Sequence, residues 1–399
     1  MALCGYFNFS NSILTTPNSN KEILRRLEAK RFERRLHSKE KKLARNRCET
    51  GSPHKARTPK EESRFHRGIA RGVDKDAPRR IILEVPKVLD LTTNYDETAE
   101  FVRDIRIAVL RQKHFLLLDF NLTERIYPTA LLLLLAEIHR CRLLHGNDRV
   151  TGTYPKSQAL ERLFIRTGFF ELLGVKPKIK ASAMSYPMEY IRFHSDRRLD
   201  ASMPRRLREE LLGDKVAMHP KAGRRLYRAL TEAMINVGQH AYPDYAVKAH
   251  AIRGRWWMAG HVNKSKKELM ITFCDLGVGI PDTLPKLHAW EKIHSALSIL
   301  PGIKPNDGEM IKAGMILGRS RTREQHRGRG LNDLRSFIDT AGAGEMYIFS
   351  RKGRYRYRAG NDEDVWNSNI SISGTFIKWT VPLACVTDWV DIDEAIIDD

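Results

Sequence analysis

The sequence predicts a mixed α/β (α+β) fold, because apolar runs of strand character alternate with stretches of helical periodicity from residue 80 onward. Hydrophobic residues make up 42% of the 399 residues, which is enough for a large buried core. No apolar run approaches the roughly 20 residues that a bilayer-spanning helix needs. We therefore expect two successive α/β domains, at residues 80–180 and 186–386, and no membrane span.

The formal net charge is +21, and much of it lies near the N-terminus. Residues 21–80 hold 21 Lys and Arg against 9 Asp and Glu, an excess of +12. Residues 21–47 have the composition of a charged helix, and residues 50–80 that of a linker. We expect residues 1–79 to form a basic, helical or disordered arm. It either binds nucleic acid or is a solvated segment without a specific partner.

Cysteine usage and the C-terminal composition add two expectations. The five cysteines have no paired spacing, which argues against a zinc site or a disulfide framework and favours a reducing, cytoplasmic environment. Residues 387–399 end the sequence in an acidic tail, DWVDIDEAIIDD.

Residues 80–180 are predicted to alternate strands with helices, as an α/β unit does. The predicted elements are a strand at IILEVP, an amphipathic helix over Tyr95–Gln112, a strand over His114–Phe120, an apolar helix over Thr129–Leu144, a strand at RVTGTYP and a helix over Ser157–Leu173.

One stretch of this unit resembles the STAS domain of anti-sigma-factor antagonists. The strand HFLLLDF is followed by a short loop and by IYPTALLLL, which opens a helix. The family pattern places an acidic residue shortly before a phosphorylatable hydroxyl and a glycine. Tyr127 stands here at the acidic position, Thr129 at the hydroxyl position and Ala130 at the glycine position. Thr129 is therefore either a phosphorylation site or, as the loss of the acid favours, a residue that satisfies backbone donors at a helix start.

The segment Leu226–Ala241, LYRALTEAMINVGQHA, has the length and periodicity of a helix. It places Glu232, Asn236 and His240 four residues apart, so that the three polar side chains share one stripe. Apolar residues occupy the other stripes and can face a core. A carboxylate, an amide and an imidazole in a row suit a site that holds a metal, a water and a phosphate.

Three further motifs follow this helix in order. ELMITFCDLGVGIP is a strand ending at Asp275, a carboxylate that can accept a hydrogen bond from an exocyclic amine such as that of adenine. Gly277 and Gly279 allow the backbone to approach a flat ligand. HRGRGLNDLRSFI opens a helix with free amides that suit phosphates. SGTFIKWTVPL is a strand in which the Thr375 hydroxyl can complete a base pocket.

Together the four motifs, over residues 226–383, resemble the GHKL ATPase superfamily, and EAMINVGQHAY is most similar to its anti-sigma-factor serine kinases. The resemblance implies a mixed sheet with helices on one face, ATP and Mg²⁺ as ligands, and compatibility with a homodimer. It makes Glu232 the base or water-orienting carboxylate and Asn236 the Mg²⁺ ligand. It assigns nucleotide contacts to Asn236, His240, Asp275, Gly277, Gly279, Arg327, Gly328, Gly330, Leu331 and Thr375. His240 has an alternative role at the helix end.

The segment between Pro281 and Arg327 matches the variable ATP lid of this superfamily. Its end is rich in arginine, which either neutralises phosphate charge or belongs to a basic loop. These residues are Arg319, Arg321, Arg323, Arg327 and Arg329.

Three functions remain open at this level. The first is an ATP-dependent regulator that hydrolyses ATP, or phosphorylates or switches a protein partner, with the STAS-like unit acting in cis. The second is a mechanochemical ATPase that touches nucleic acid through its basic arm. The third is an ATP-binding module without turnover. The sequence favours the first, because no transducer domain is evident after the last motif.

Overall fold

The computed structural model describes residues 80–178, 188–190, 192–198, 202–212, 218–244, 252–320 and 331–388. All of them belong to one unit that begins at Ser63. The predicted arm and most of the acidic tail lie outside the described residues. Helices and strands both contribute, which confirms the mixed α/β class. Among the described residues, none of the helices is both long and apolar enough to cross a membrane.

The N-terminal part is built on a three-stranded parallel sheet in the order β1-β3-β5. Its strands are β1 (Arg80–Glu84), β3 (Phe115–Asp119) and β5 (Val150–Gly152), and a second small pair joins β2 (Val88–Leu89) to β4 (Arg125–Ile126). Its helices are α1 (Tyr95–Arg106), continued by a π-helical turn to Arg111, α2 (Pro128–His145), α3 (Gln158–Thr167) and α4 (Phe169–Leu173).

The single helix predicted over Ser157–Leu173 is two helices. Gly168 has φ +76°, in the left-handed region, and its N–H bonds to the Ile165 carbonyl at 3.3 Å. Glycine adopts this conformation without the strain of a Cβ atom, so it ends α3 and allows α4 to start in a new direction.

The C-terminal part has eight strands and six helices among its described residues. The strands are β6 (Met188–Tyr190), β7 (His194–Asp196), β8 (Trp256–Asn263), β9 (Glu268–Asp275), β10 (Glu345–Ser350), β11 (Gly353–Arg358), β12 (Asp362–Asn367) and β13 (Thr375–Pro382). The helices are α5 (Met203–Leu212), α6 (Pro220–Asn236), α7 (Ile280–Leu287), α8 (Trp290–Leu297), α9 (Asp307–Ser320) and α10 (Asn332–Ala341).

These strands form one sheet in the order β12-β11-β10-β13-β9-β8-β6, and β7 also pairs with β8. The resemblance predicts a mixed sheet, but every pairing among the described strands of this sheet is antiparallel. The short connections between β8 and β9, β10 and β11, and β11 and β12 explain part of this difference, because a hairpin joins only antiparallel strands.

Side chains along the sheet alternate between two cores, as the two-residue period of a strand requires. Phe273 of β9 and Trp379 of β13 face the core that contains α6 and α10. Cys274 and Phe376, which are paired with each other in register, face the core formed with the N-terminal part. Both faces of the sheet are therefore apolar and covered.

Helix α2 covers the second face. Its residues from Leu131 to Ala136 are all buried, and it packs against β8 and β9 on one side and against α1, α4 and β5 on the others. A helix that is apolar all round is stable only when it is buried all round. The regions 80–180 and 186–386, predicted as separate domains, consequently share one core.

A buried ion pair lies within this layer. Glu137 and Arg140 are one turn apart on α2, with side chains 1% and 4% exposed and an N–O distance of 2.5 Å. Trp257 of β8 donates from Nε1 to His139 Nδ1 at 3.0 Å, which ties the same helix to the sheet. Burial lowers the pKa of His139 to about 4, so the imidazole is neutral and structural near pH 7.

Strand β12 forms one edge of the large sheet and has acidic residues along its length. Asp362 accepts from Arg358 Nε at 2.6 Å, and Asp364 accepts from Arg356 Nε at 2.8 Å. The guanidinium of Arg356 also lies 5.3 Å from the ring centroid of Trp366. The edge strand thus pairs its charges with those of its hairpin partner β11.

Removing one member of the buried pair should destabilise the protein strongly. Glu137→Ala leaves the Arg140 guanidinium buried without its carboxylate, and we expect it to lower the free energy of unfolding by about 3–5 kcal/mol. The double variant Glu137→Leu/Arg140→Met replaces both charges by apolar groups and should recover most of that loss. Urea unfolding followed by circular dichroism measures both values. A single variant as stable as the parent protein would contradict this view of the α2 layer.

Candidate functional site

A cavity of about 750 Å³ opens beside the end of α6, within the usual size range of small-ligand pockets. It is lined by residues from α6 and from the turn after it, from β9, α7, α9 and β13, and from the start of α10. The lining includes Glu232, Asn236, Gln239, His240, Phe273, Asp275, Gly279, Ile280, Leu284, Gly314, Gly318, Leu331, Thr375 and Ile377.

Helix α6 presents two of the predicted residues, Glu232 and Asn236, to this cavity. It starts with Pro220 in the first turn, buries Leu226 and Leu230, and ends at Asn236. Asn236 Nδ2 donates to Glu232 Oε1 at 3.1 Å, which confirms that the two side chains share a stripe.

The segment after Asn236 is a π-helical turn, Val237–Ala241, wider than the regular helix that the sequence predicts. Such turns occur often at functional sites, since the extra residue redirects the chain. His240 still lines the cavity from this turn. The Ala241 carbonyl accepts from Val278 N at 2.9 Å, so the wide turn joins α6 to the loop after β9.

Asp275 ends β9 at the floor of the cavity and is 5% exposed. Its Oδ1 accepts from Gly277 N at 2.7 Å. Burial raises the pKa of Asp275 to about 7, against the opposing effect of hydrogen bonds from the backbone of Gly277 and Thr375. The site therefore holds a desolvated carboxyl group that is satisfied only in part by backbone amides.

Two glycines permit the close backbone approaches around Asp275. A Cβ at Gly277 would lie 2.1 Å from the Ala241 carbonyl oxygen, and one at Gly374 would lie 2.1 Å from the Asp275 carbonyl oxygen. Gly277 is predicted to line the ligand, but it is not among the residues of the cavity wall; its role here is to let α6 and β9 meet. Gly279 does line the cavity.

Glu232 is 6% exposed and faces the same cavity. Burial raises the pKa of its carboxyl group and the charge of Asp333 on α10 adds to the increase, while the hydrogen bond from Asn236 opposes it. A carboxylate with a raised pKa is a better proton acceptor at neutral pH.

Two polar residues that the sequence analysis misses support the site. Ser350 is fully buried at the end of β10; its Oγ accepts from Ile280 N at 2.9 Å and lies 3.1 Å from Thr375 Oγ1. The Tyr242 hydroxyl accepts from Leu276 N at 3.1 Å. Both act through contacts between distant segments, for which a local sequence pattern gives no signal.

The predicted lid contains α7, α8 and α9 in its described residues. Gly314 and Gly318 of α9 line the cavity, and their spacing of four residues is a sequence signal that could have found them. Leu331 lines the cavity as well. Arg321, Arg323, Arg327, Gly328, Arg329 and Gly330 lie outside the described residues, and the same holds for the Arg319 side chain.

Thr129 lies away from this cavity and is buried at the start of α2. Its hydroxyl donates to Asp90 Oδ1 at 3.2 Å, and the first residue before the helix, Tyr127, makes no side-chain capping bond. Thr129 therefore does not satisfy helix backbone donors as the sequence analysis favours. It instead positions the Asp90 carboxylate, which also accepts from Thr92 N at 3.0 Å.

The side chains around the cavity limit how it could bind a metal ion. Within the described part of the chain, no three or more His, Cys, Asp or Glu side chains are grouped so that they could hold a metal ion. A metal at this cavity would consequently need oxygen atoms from a ligand as well as from the protein.

Comparison with known proteins does not add to this picture, since neither a protein-family model nor a curated protein matches the chain.

Adding a methyl group at Gly277 should separate α6 from β9. Because the new Cβ would lie 2.1 Å from the Ala241 oxygen, Gly277→Ala should lower the free energy of unfolding by about 2 kcal/mol or more. The matched control is Gly238→Ala in the neighbouring turn, where a Cβ meets nothing within 4 Å. That control should be neutral or stabilising by roughly 0.5–1 kcal/mol. Equal unfolding midpoints for the two variants in urea would contradict the steric role of Gly277.

The raised pKa of Asp275 predicts a specific dependence of stability on pH. Between about pH 4 and pH 7 the folded protein keeps a proton that the unfolded chain releases, so this group's contribution is lost as the pH rises to about 7. Asp275→Asn should remove that loss. Relative to the parent protein, the variant should gain up to about 4 kcal/mol in unfolding free energy between pH 4 and pH 8. If the unfolding free energies of the two proteins, measured in urea, change in parallel with pH, this role of Asp275 is excluded. The control for the loss of one charge is Glu84→Gln at an exposed position.

Proposed function

We propose that the cavity binds ATP with Mg²⁺, and that Glu232 activates the water or hydroxyl group that attacks the terminal phosphate. The observation that supports this most directly is a shared cavity. Glu232, Asn236 and His240 of the α6 segment line it together with Asp275 and Thr375, which come from separate strands. The resemblance of the four sequence motifs to the GHKL ATPases supports the same function.

The Asp275 end of the cavity suits adenine. One carboxylate oxygen accepts from Gly277 N, and the remaining lone pairs can accept from an exocyclic amine. A guanine base would present a carbonyl oxygen in the place of that amine and would be repelled. Phe273, Ile280 and Ile377 line the cavity and supply apolar contact for a flat base.

The Asn236 end suits the phosphates. Because Asn236 donates from Nδ2 to Glu232, its amide oxygen is oriented for a cation. One protein oxygen combined with phosphate oxygens is a common way of binding Mg²⁺, and it agrees with the donor set described above. Bound there, Mg²⁺ would supply charge neutralisation for the phosphates. His240 is the other polar residue of this wall that we assign to phosphate contact.

Glu232 is the residue that we assign to proton transfer. Its raised pKa makes it a stronger base than an exposed glutamate, and the hydrogen bond from Asn236 fixes one of its oxygens. The other oxygen can take the proton of the attacking group. Hydrolysis and transfer to a protein hydroxyl both begin with this step, so the site is compatible with either.

Contacts between the N-terminal part and the neighbourhood of the cavity support a regulatory role in cis. The Tyr95 hydroxyl donates to the Arg351 carbonyl at 2.6 Å, and Arg354 donates to the Thr92 carbonyl at 2.7 Å. Arg351 follows Ser350, which is bonded to the cavity wall. We propose that the STAS-like unit regulates the ATP site in cis through these contacts.

Two substitutions separate binding from turnover. Glu232→Gln keeps the shape of the side chain and removes the base, so ATP affinity should change less than about threefold while phosphate release falls at least about 100-fold. Asp275→Asn turns an acceptor towards the adenine amine into a donor and should weaken ATP binding by about 10- to 100-fold. Isothermal titration with ATP and Mg²⁺ measures affinity, and a phosphate-release assay measures turnover.

The control is Glu291→Gln at an exposed position on α8, which should leave both the ATP affinity and the rate of phosphate release unchanged. Labelled γ-phosphate distinguishes release into solution from transfer to a protein. Failure of the parent protein to bind ATP would refute the proposal. Unchanged turnover in Glu232→Gln would refute the assignment of the base alone.

A further inference from the structure

The solvent-facing side of α6 carries a basic stripe, which we define as Lys221, Arg224, Arg225 and Arg228. A helix turns about 100° per residue, so these four positions fall within about 100° of one another, opposite the buried Leu226. Lys221, Arg224 and Arg228 are exposed and Arg225 is half-buried. Within the described part of the chain, none of the four makes an ion pair.

The basic stripe runs along α6 towards the cavity, whose lining on this helix begins at Glu232. Glu232 lies four residues after Arg228, on the same face of α6, and Asn236 follows after a further turn. With a rise of about 1.5 Å per residue, the stripe extends about 16 Å from Lys221 to Glu232. An acidic chain lying along the stripe would therefore cover the approach to the carboxylate.

The stripe is electrostatically unfavourable by itself. Like charges three and four residues apart on a helix repel one another. The N-terminal end of a helix carries partial positive charge, and the first turn of α6 contains no acidic residue to balance it. An anionic partner along this face would offset both effects.

The C-terminal end of the described chain brings one acidic residue, Asp388, to the start of α6. Thr387 forms a β-bridge with Met218, and the Val386 carbonyl accepts from His219 N at 2.8 Å. The Asp388 carboxylate lies 2.9 Å from His219 Nε2, at the residue that precedes α6. The first acid of the tail is thus already at the end of the basic stripe.

The remaining tail is opposite to the stripe in charge and is long enough to span it. Residues 388–399 include six acidic residues and no Lys or Arg: Asp388, Asp391, Asp393, Glu394, Asp398 and Asp399. An extended chain spans about 3.3 Å per residue, so the residues after Asp388 can reach about 36 Å. This exceeds the length of the stripe about twofold.

We propose that the basic stripe of α6 is a docking surface for an acidic polypeptide, and that its occupant in the isolated protein is the chain's own tail, residues 389–399. An acidic segment of a partner protein would bind by displacing it. This docking does not depend on the nucleotide chemistry proposed above, and it can be tested without ATP.

The first test is zero-length carbodiimide cross-linking of the full-length protein, with mass spectrometry of the products. Lys221 is the one lysine of the stripe, and its amine, unlike an arginine guanidinium, can form an amide with an activated carboxylate. We expect a link within one chain from Lys221 to Asp391, Asp393 or Glu394, which 1 M NaCl suppresses by screening. If this cross-link does not form in the parent protein at low salt, the proposal is overturned, and no variant is needed to reach that conclusion.

The second test uses a fluorescein-labelled peptide of residues 387–399 and fluorescence anisotropy. In a full-length tail-amide variant, the five acidic residues after Asp388 are changed to the corresponding amides, which leaves the basic stripe free. This variant should bind the peptide about tenfold more tightly than the parent protein, whose tethered tail competes with the peptide. Adding Arg224→Gln, Arg225→Gln and Arg228→Gln should remove that binding. The control triple variant Lys156→Gln, Lys176→Gln and Lys178→Gln changes exposed lysines elsewhere and should have no effect.

The other occupants of the stripe give distinct results. A cross-link between two chains would assign the stripe to a second copy, and a link from the tail to lysines of residues 1–79 would assign the tail to the arm. Equal peptide binding by parent and tail-amide proteins would show that the tail does not compete. Stripe-dependent binding of a single-stranded oligonucleotide, unaffected by the tail, would indicate nucleic acid. Each of these outcomes overturns the proposal.

Discussion

The structure depends on a large antiparallel sheet whose two faces are both apolar and must both be buried. Helices α6 and α10 cover one face, and α2 of the N-terminal part covers the other. The candidate site lies on the first face and the N-terminal part on the second, so they are connected through the thickness of the sheet. Arg140 of α2 is close enough to influence the pKa of Tyr242, whose hydroxyl accepts from the residue after Asp275.

The site itself is built by close approaches of backbone rather than by a cluster of charges. The end of α6, the loop after β9 and the start of β13 meet around Asp275 because Gly277 and Gly374 have no Cβ. The resulting burial raises the pKa of Asp275, which costs stability above neutral pH and leaves hydrogen-bonding capacity for a ligand. An asparagine there would make a more stable protein above neutral pH and, under the proposed function, a poorer pocket for adenine, which is a common conflict between stability and function.

Local periodicity explains what the sequence could predict. The strand ending at Asp275 and the shared stripe of Glu232 and Asn236 follow from spacings within a few residues. The antiparallel pairing of the sheet, the contacts of Ser350 and the bond from Thr129 to Asp90 all join segments that are distant along the chain. Such contacts are set by how elements pack, and no short pattern encodes them.

The acidic edge strand β12 has a consequence for self-assembly. A free strand edge invites a further strand, but here a newcomer would have to dehydrate carboxylates that β12 already shares with the arginines of β11. This edge is therefore protected against sheet extension and against fibril-like growth of one molecule upon another. We therefore expect any dimer of this chain to form through a different surface.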